Sequence, residues 1–357
     1  MEKESKTQRK NRTVRVLRVV MSIVATICIV VLPPWDGIWA WLKPLPSTVQ
    51  EQVSDSVEHG LDGIIVYVDQ SGKAPALYSA GWKNRAAQVP ADPQALFKIG
   101  SISKLYVAAA AAKLVNDKSL SLADTLADLL PELVGRIEYA DQITLRMMLQ
   151  HRSGIPNTTD QDEYDWAEPP ADTSESLELI LDLPADFRPG ARDSYSNTNY
   201  LLIGKIVDKT LGYSHHRYIS KEILAPLGLT HTYGSLRQVD IADVASGYHH
   251  PYAADLREID FISPSGSMVA TAQDVGIFLR ALIDGSLLSD DEQTIYSSIY
   301  EYEHTGWVLG YESIARYHKD IDTVIVQFVN TTGEDTELTS IVVYNRIVQI
   351  LRRQLSP

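Results

Sequence analysis

A chain of 357 residues, 45% hydrophobic and 22% charged, buries a full core on folding, which excludes a disordered polymer and leaves one large globular domain or two closely joined lobes. The charge is uneven: the first eighteen residues hold seven Lys/Arg against two Asp/Glu, and the rest holds 25 basic and 44 acidic residues, a balance near −19. Such a body repels phosphate backbones, and no basic stripe is interleaved with aromatics, so nucleic-acid binding is excluded.

The N-terminus reads as a location signal. Lys3, Lys6, Arg9, Lys10, Arg12, Arg15 and Arg18 precede the uncharged run Val19 to Leu32, followed by Pro33, Pro34, Trp35, Trp39 and Trp41. Cationic flank, apolar span and aromatic interface in that order predict a cytoplasmic basic segment at 1–18 and a membrane anchor at 19–42, with residues after about 45 outside. The run is fourteen residues long, short of the roughly 20 of a spanning helix, and Trp35 to Leu42 would extend it. A cleaved signal peptide and a buried core helix are the alternatives. No small-x-small triplet follows the run, and Ile27 precedes Cys28 where a lipoprotein signal needs a small residue, so an uncleaved anchor is preferred. Cys28, the single cysteine, forms no internal disulfide and leaves the compartment open.

After the Pro-rich linker Lys43 to Pro46, the segments Ile64 to Asp69 and Ala76 to Trp82 predict a strand pair joined across Gln70 to Lys73. A helix is expected from Ser101 to about Asn116, its alanines at 108–112 suited to central packing. Ser121 and Asp124 form a capping-box pattern opening a mainly helical lobe at about 118–288. Strand patterns return at Ile299 to Glu303, Tyr311 to Tyr317 and Thr323 to Asn330. They precede a helix from about Glu337 to Arg353 with Leu338, Ile341, Val348 and Leu351 on one face. Strands at both ends enclosing a helical middle predict an α+β fold with one sheet built from both ends of the chain.

Three single-copy triplets carry chemistry. In Ser101-Ile102-Ser103-Lys104, spacing of three on a helix stacks hydroxyl and amine, and a desolvated lysine can take the serine's proton. Ser101 also opens the helix, where free backbone N–H groups face a developing oxyanion. Tyr195-Ser196-Asn197 follows the turn Pro189-Gly190; Tyr195 could hold a phenolate beside Lys104 and shuttle a proton, while Asn197 donates to substrate. In His304-Thr305-Gly306, Gly306 lets substrate backbone approach a sheet edge, and the Trp307 N–H is a second oxyanion donor. Thr305 and a protonated His304 would hold a carboxylate, with help that fades as pH rises past about 6.5. Taken singly, each has a bland alternative: a solvated lysine near a helix cap, a turn asparagine with a half-buried tyrosine, a surface histidine at a strand end. All three occur once, in this order, where a helix start, a loop and a strand are needed.

Together they resemble the Ser-x-x-Lys, Tyr-x-Asn and Lys/His-Thr-Gly motifs of the penicillin-recognising serine hydrolases, the beta-lactamase-related family that includes class C beta-lactamases and D-alanyl-D-alanine carboxypeptidases. The segments 97–100, 149–156, 187–199, 224–230 and 266–272 are similar to that family's framework. The resemblance implies a beta-lactamase/transpeptidase-like domain over 48–357, acyl-enzyme chemistry with Ser101, Lys104 and Tyr195 catalytic, and Asn197, His304, Thr305 and Gly306 binding substrate. It further implies a carboxypeptidase-like hydrolase of peptidoglycan-type peptides, which the N-terminal segment read above would hold outside a bacterial cytoplasmic membrane by a single helix. The alternatives are an esterase or beta-lactamase using the same residues, and a non-catalytic protein that binds cell-wall fragments. Two departures point to altered use of the cleft: a short stretch from Ser286 to His304, and a bulky Trp307 after the glycine. The pairs His215-His216 and His249-His250 lack ligand spacing, so neither metal nor cofactor is expected.

Overall fold

The computed structural model describes residues 14, 17–26, 35–251, 254–333 and 335–355. Helices α1 (Trp35–Leu42) and α2 (Val49–Ser56) lead into β1 (Gly63–Gln70), β2 (Ala76–Asn84) and β3 (Val89–Pro90). Short β4 (Phe97–Lys98) ends in a 3-10 turn, Gly100–Ile102, that opens α3 (Ser103–Asn116). The middle lobe carries α4 (Asn197–Leu211), the two-residue strands β5 (Thr232–Tyr233), β6 (Tyr248–His249) and β7 (Val269–Ala270), and then α5 (Ala272–Asp284) and α6 (Asp290–Ser297). The chain returns through β8 (His304–Val308), β9 (Tyr311–His318), β10 (Thr323–Val329) and β11 (Thr331–Thr332) to α7 (Thr336–Leu355).

Both ends of the chain build one antiparallel sheet, ordered β3-β2-β1-β10-β9-β8. Its register pairs Tyr67 with Val326 across β1 and β10, and Gly306 with Ser313 across β8 and β9. Strand alternation divides the core. Ile64, Val66, Val68, Ile325 and Val329 pack with Val343, Ile347 and Leu351 of α7. Ile65, Tyr67, Val324, Val326 and Phe328 belong to the larger core shared with the helical lobe. Helix α3 runs through that core with Ala108 to Ala112 buried, and its Tyr106 stacks on Phe278 of α5 at 3.7 Å. Small side chains let this helix lie in the centre of the lobe, which places the nucleophile turn at the junction of lobe and sheet.

Several expected boundaries move. The Ser121 N–H does donate to Asp124 Oδ2 (2.8 Å), but that pair closes a turn, and the first helix of the lobe, Leu126–Leu129, is capped by Thr125 with Asp128. Ile299 to Glu303 is not a strand: α6 occupies 290–297, and the Tyr296 hydroxyl donates to the Glu301 carbonyl 2.7 Å away, turning the chain before β8. On α7, Leu338 and Ile341 are partly exposed, while Val348 and Leu351 are buried.

The membrane anchor expected at 19–42 is overturned: among the described residues no helix is long and apolar enough to cross a membrane. A helical stretch covers 17–26, residues 27–34, with Cys28, lie outside the described residues, and α1 packs on the domain. Ala40 is 1% exposed, and Gly37 is so close to α7 that an added Cβ would stand 3.1 Å from Leu338 Cγ. The single-pass location inferred from that anchor falls with it. The following linker is fixed by Arg346 of α7, whose guanidinium donates to Gln52 Oε1 (2.6 Å) and to the carbonyls of Lys43 and Pro44 (both 2.9 Å).

Removing that guanidinium frees several acceptors at once, each bond contributing about 1 kcal/mol. Arg346→Ala should therefore speed chymotryptic cleavage after Trp41 roughly tenfold or more; an unchanged cleavage rate would show that the linker is held otherwise.

Candidate active site

Gly100 sets the geometry. Its φ of +52° turns the chain from β4 into α3, and a Cβ there would lie 2.9 Å from the Trp307 nitrogen, so only glycine lets β8 approach the nucleophile turn. Gly306 is equally constrained, since its Cβ would meet the Ile99 carbonyl oxygen at 2.1 Å. The backbones that carry Ser101 and Trp307 are thus held side by side.

Ser101, Lys104, Tyr195 and Asn197 form one hydrogen-bonded cluster. Lys104 Nζ lies 2.8 Å from each of Ser101 Oγ, Asn197 Oδ1 and the Ser265 carbonyl oxygen. Tyr195 OH lies 2.6 Å from Ser101 Oγ. Asn197, the first residue of α4, is locked on both sides: its amide Nδ2 donates to Thr159 Oγ1 (2.9 Å) and its backbone N–H to Asn157 Oδ1 (2.8 Å).

Burial decides the charges. Lys104 is completely buried, and desolvation holds its amine well below the usual lysine range. Tyr195 is 46% exposed, yet protein atoms crowd around it and push its phenol up to about 12, with the Ser101 hydrogen bond pulling the other way. At neutral pH it is a phenol, not the phenolate considered from sequence. His304 is half-buried by area, but it lies among aromatic rings, 6.3 Å from Tyr195 and stacked on Tyr300 at 5.9 Å. Burial first, and any charge on Lys104 second, bring it down to about 4, while its Nδ1–H donates to the Thr305 carbonyl. The protonated His304 expected to hold a carboxylate is therefore neutral at physiological pH. Thr305 is exposed, and Glu303 Oε1 lies 3.7 Å from Arg316 Nε rather than serving His304.

Sequence reasoning missed several partners. His151 adopts φ +56° and stacks on Tyr195 at 4.6 Å; burial lowers its imidazole to about 3, so it too is neutral. Ser265 serves through its backbone, which leaves no mark in a side-chain motif. The loop bearing it is tied down by Lys98 of β4, whose Nζ donates to the Leu256 (3.0 Å) and Ile259 (2.7 Å) carbonyls; burial brings this amine down to about 7. The cleft opens in two directions. A pocket of about 40 Å³ includes Ser101, Asn197, Trp166, Phe261 and Trp307. A groove of about 590 Å³ is bordered by His151, Tyr195, Tyr300 and His304. Among the described residues no group of His, Cys, Asp and Glu is arranged to hold a metal ion.

A model of the beta-lactamase family matches residues 46–298, and the chain belongs to that family. It is 25% identical over 293 residues to Protein flp of Staphylococcus aureus (strain NCTC 8325 / PS 47), a match covering 75% of this chain and 56% of the relative. It is 25% identical over 319 residues to the putative penicillin-binding protein PbpX of Bacillus subtilis (strain 168), covering 83% and 77%. The chain therefore spans about half the length of the staphylococcal relatives it matches. The crystal structure of D-amino acid amidase from Ochrobactrum anthropi SV3 with L-phenylalanine superposes with a TM-score of 0.76 at 23% identity, over 86% of this chain and 98% of that one. The fold is beta-lactamase/transpeptidase-like, and the family is one of hydrolases.

With His304 neutral above about pH 4, its contribution has no step to lose near pH 6.5. The rate at which a neutral fluorophosphonate labels the protein should show no fall centred near 6.5 between pH 5 and 8. A fall there would mean that the imidazole is charged on the acid side.

Proposed function

We propose that this protein is a serine hydrolase that cleaves amide or ester bonds through an acyl-enzyme on Ser101, with a domain spanning 48–357. One observation carries the proposal: a buried lysine amine lies 2.8 Å from the serine hydroxyl and faces two groups that only accept hydrogen bonds. A neutral amine has two N–H groups and one lone pair. Donating to Asn197 Oδ1 and the Ser265 carbonyl turns that lone pair to Ser101.

Ser101 Oγ then bonds the substrate carbonyl carbon as its proton passes to Lys104. The Ser101 and Trp307 backbone N–H groups serve the resulting oxyanion. When the carbon–nitrogen or carbon–oxygen bond breaks, Tyr195 gives its phenolic proton to the leaving atom, and the proton on Lys104 replaces it. Water repeats the sequence on the ester, releasing the acid and restoring Ser101. Because Tyr195 is the proton donor, the leaving group lies toward the 590 Å³ groove and the acyl part toward the 40 Å³ aromatic pocket. A complete Ser101, Lys104 and Tyr195 set supports an enzyme over a protein that only binds cell-wall fragments. The His304-Thr305-Gly306 triplet suggests a D-alanyl-D-alanine carboxypeptidase as the finer form, but a neutral His304 gives the carboxylate of that leaving group no charged partner, and an esterase or amidase uses the same residues.

The purified full chain should be labelled by a fluorophosphonate, with labelling abolished in Ser101→Ala and slowed at least about a hundredfold in Lys104→Met. Uptake of fluorescent penicillin at Ser101 would support the peptidase or lactamase forms over a general esterase. Failure of both probes to label the folded protein would leave the binding-protein alternative.

A further inference from the structure

The stretch between α6 and β8 puts Tyr300 and Glu301 on the leaving side of the cleft. From that placement we propose that these two residues select substrates whose leaving group is uncharged and disfavour leaving groups that carry a free carboxylate. This rests on the serine-hydrolase reading above and specifies its substrate class.

A carboxylate leaving through the 590 Å³ groove needs a cation. The guanidinium that lines the groove, Arg152, is already engaged: its Nε lies 3.1 Å from Asp193 Oδ1, and its NH2 donates to the Gly190 carbonyl, 2.5 Å away. Lys104 is buried and bonded on three sides. His304 gives its Nδ1–H to the adjacent carbonyl and presents a ring stacked nearly parallel to Tyr300, at 13°. Against these, Asp193 and Glu301 both border the groove, and both are exposed. A carboxylate placed there meets two like charges and a guanidinium already paired, an arrangement that acts as discrimination against it. An uncharged amide or ester lying on the Tyr300–His304 stack meets no such penalty and buries apolar surface.

Glu301 is the member open to a clean test, because its structural contact runs through its backbone carbonyl, which accepts from Tyr296, and survives substitution. Two thioesters of N-acetyl-D-alanine serve as probes, one made with thioglycolic acid and one with thioglycolamide. They share the acyl group and differ in leaving-group charge; because the amide thiol is also the better leaving group, each kcat/KM is divided by the same ester's rate of hydrolysis by hydroxide before the two are compared. Release of thiol by the full chain should give a kcat/KM at least tenfold higher for the amide form. Glu301→Lys should shift the ratio of the two rates at least fivefold toward the carboxylate form, and because the ratio is taken within one variant, a general loss of activity cancels. Tyr300→Ala should raise KM for the amide form more than it lowers kcat. Equal rates, a preference for the carboxylate, no turnover of the amide form by protein that labels at Ser101, or an unmoved ratio in Glu301→Lys would each overturn the proposal. Loss of Ser101 labelling in the parent protein would instead remove the hydrolase reading beneath it.

Discussion

Everything in the cleft follows from placing one lysine amine out of water. Lys104 sits in the first turn of the central helix α3, where the alanine-rich lobe core closes over its stem, and its nitrogen meets Ser101, Asn197 and the Ser265 carbonyl. Burial there strips an ammonium of its hydration and shifts the balance toward the uncharged amine, the form able to take a proton from a hydroxyl. The surrounding architecture maintains this state: Asn197 is fixed by Thr159 and Asn157, and the Ser265 loop is fixed by Lys98.

The same desolvation keeps the neighbouring rings uncharged. His151, Tyr195, Tyr300 and His304 form a connected aromatic cluster with centroid separations from 4.6 to 6.3 Å. A cluster of this kind orients the phenol over the serine and offers neutral surface to a ligand. Its rings carry no charge of their own at neutral pH.

Much of the site was legible because its elements are local in sequence. Serine and lysine three apart on a helix must stack, and a Pro-Gly turn before Tyr195 must project a loop. The sheet was legible for a similar reason, since the near-continuous apolar runs in Ile64 to Asp69 and Thr323 to Asn330 report strands buried on both faces. What escaped depends on distant contacts. Ser265 serves through its backbone carbonyl, so side-chain patterns do not mark it. Ile299 to Glu303 has the composition of a strand, but the Tyr296 hydroxyl on the Glu301 carbonyl turns it into a bend. The Trp-rich segment at 35–42 looked like the outer end of a membrane span. Gly37 instead lies against Leu338 of α7 and Ala40 is buried, contacts with a segment some three hundred residues away that local composition does not report.

The protonation state of Lys104 in the resting protein is the most direct measure of this account. Lysine side chains carrying carbon-13 at Cε report it in the full chain by nuclear magnetic resonance, with the signal assigned through its absence in Lys104→Arg. The account predicts a Lys104 Cε shift already that of a neutral amine at pH 7 and unchanged on raising the pH to 10. A signal that stays at the ammonium position and titrates near 10.5 would contradict it.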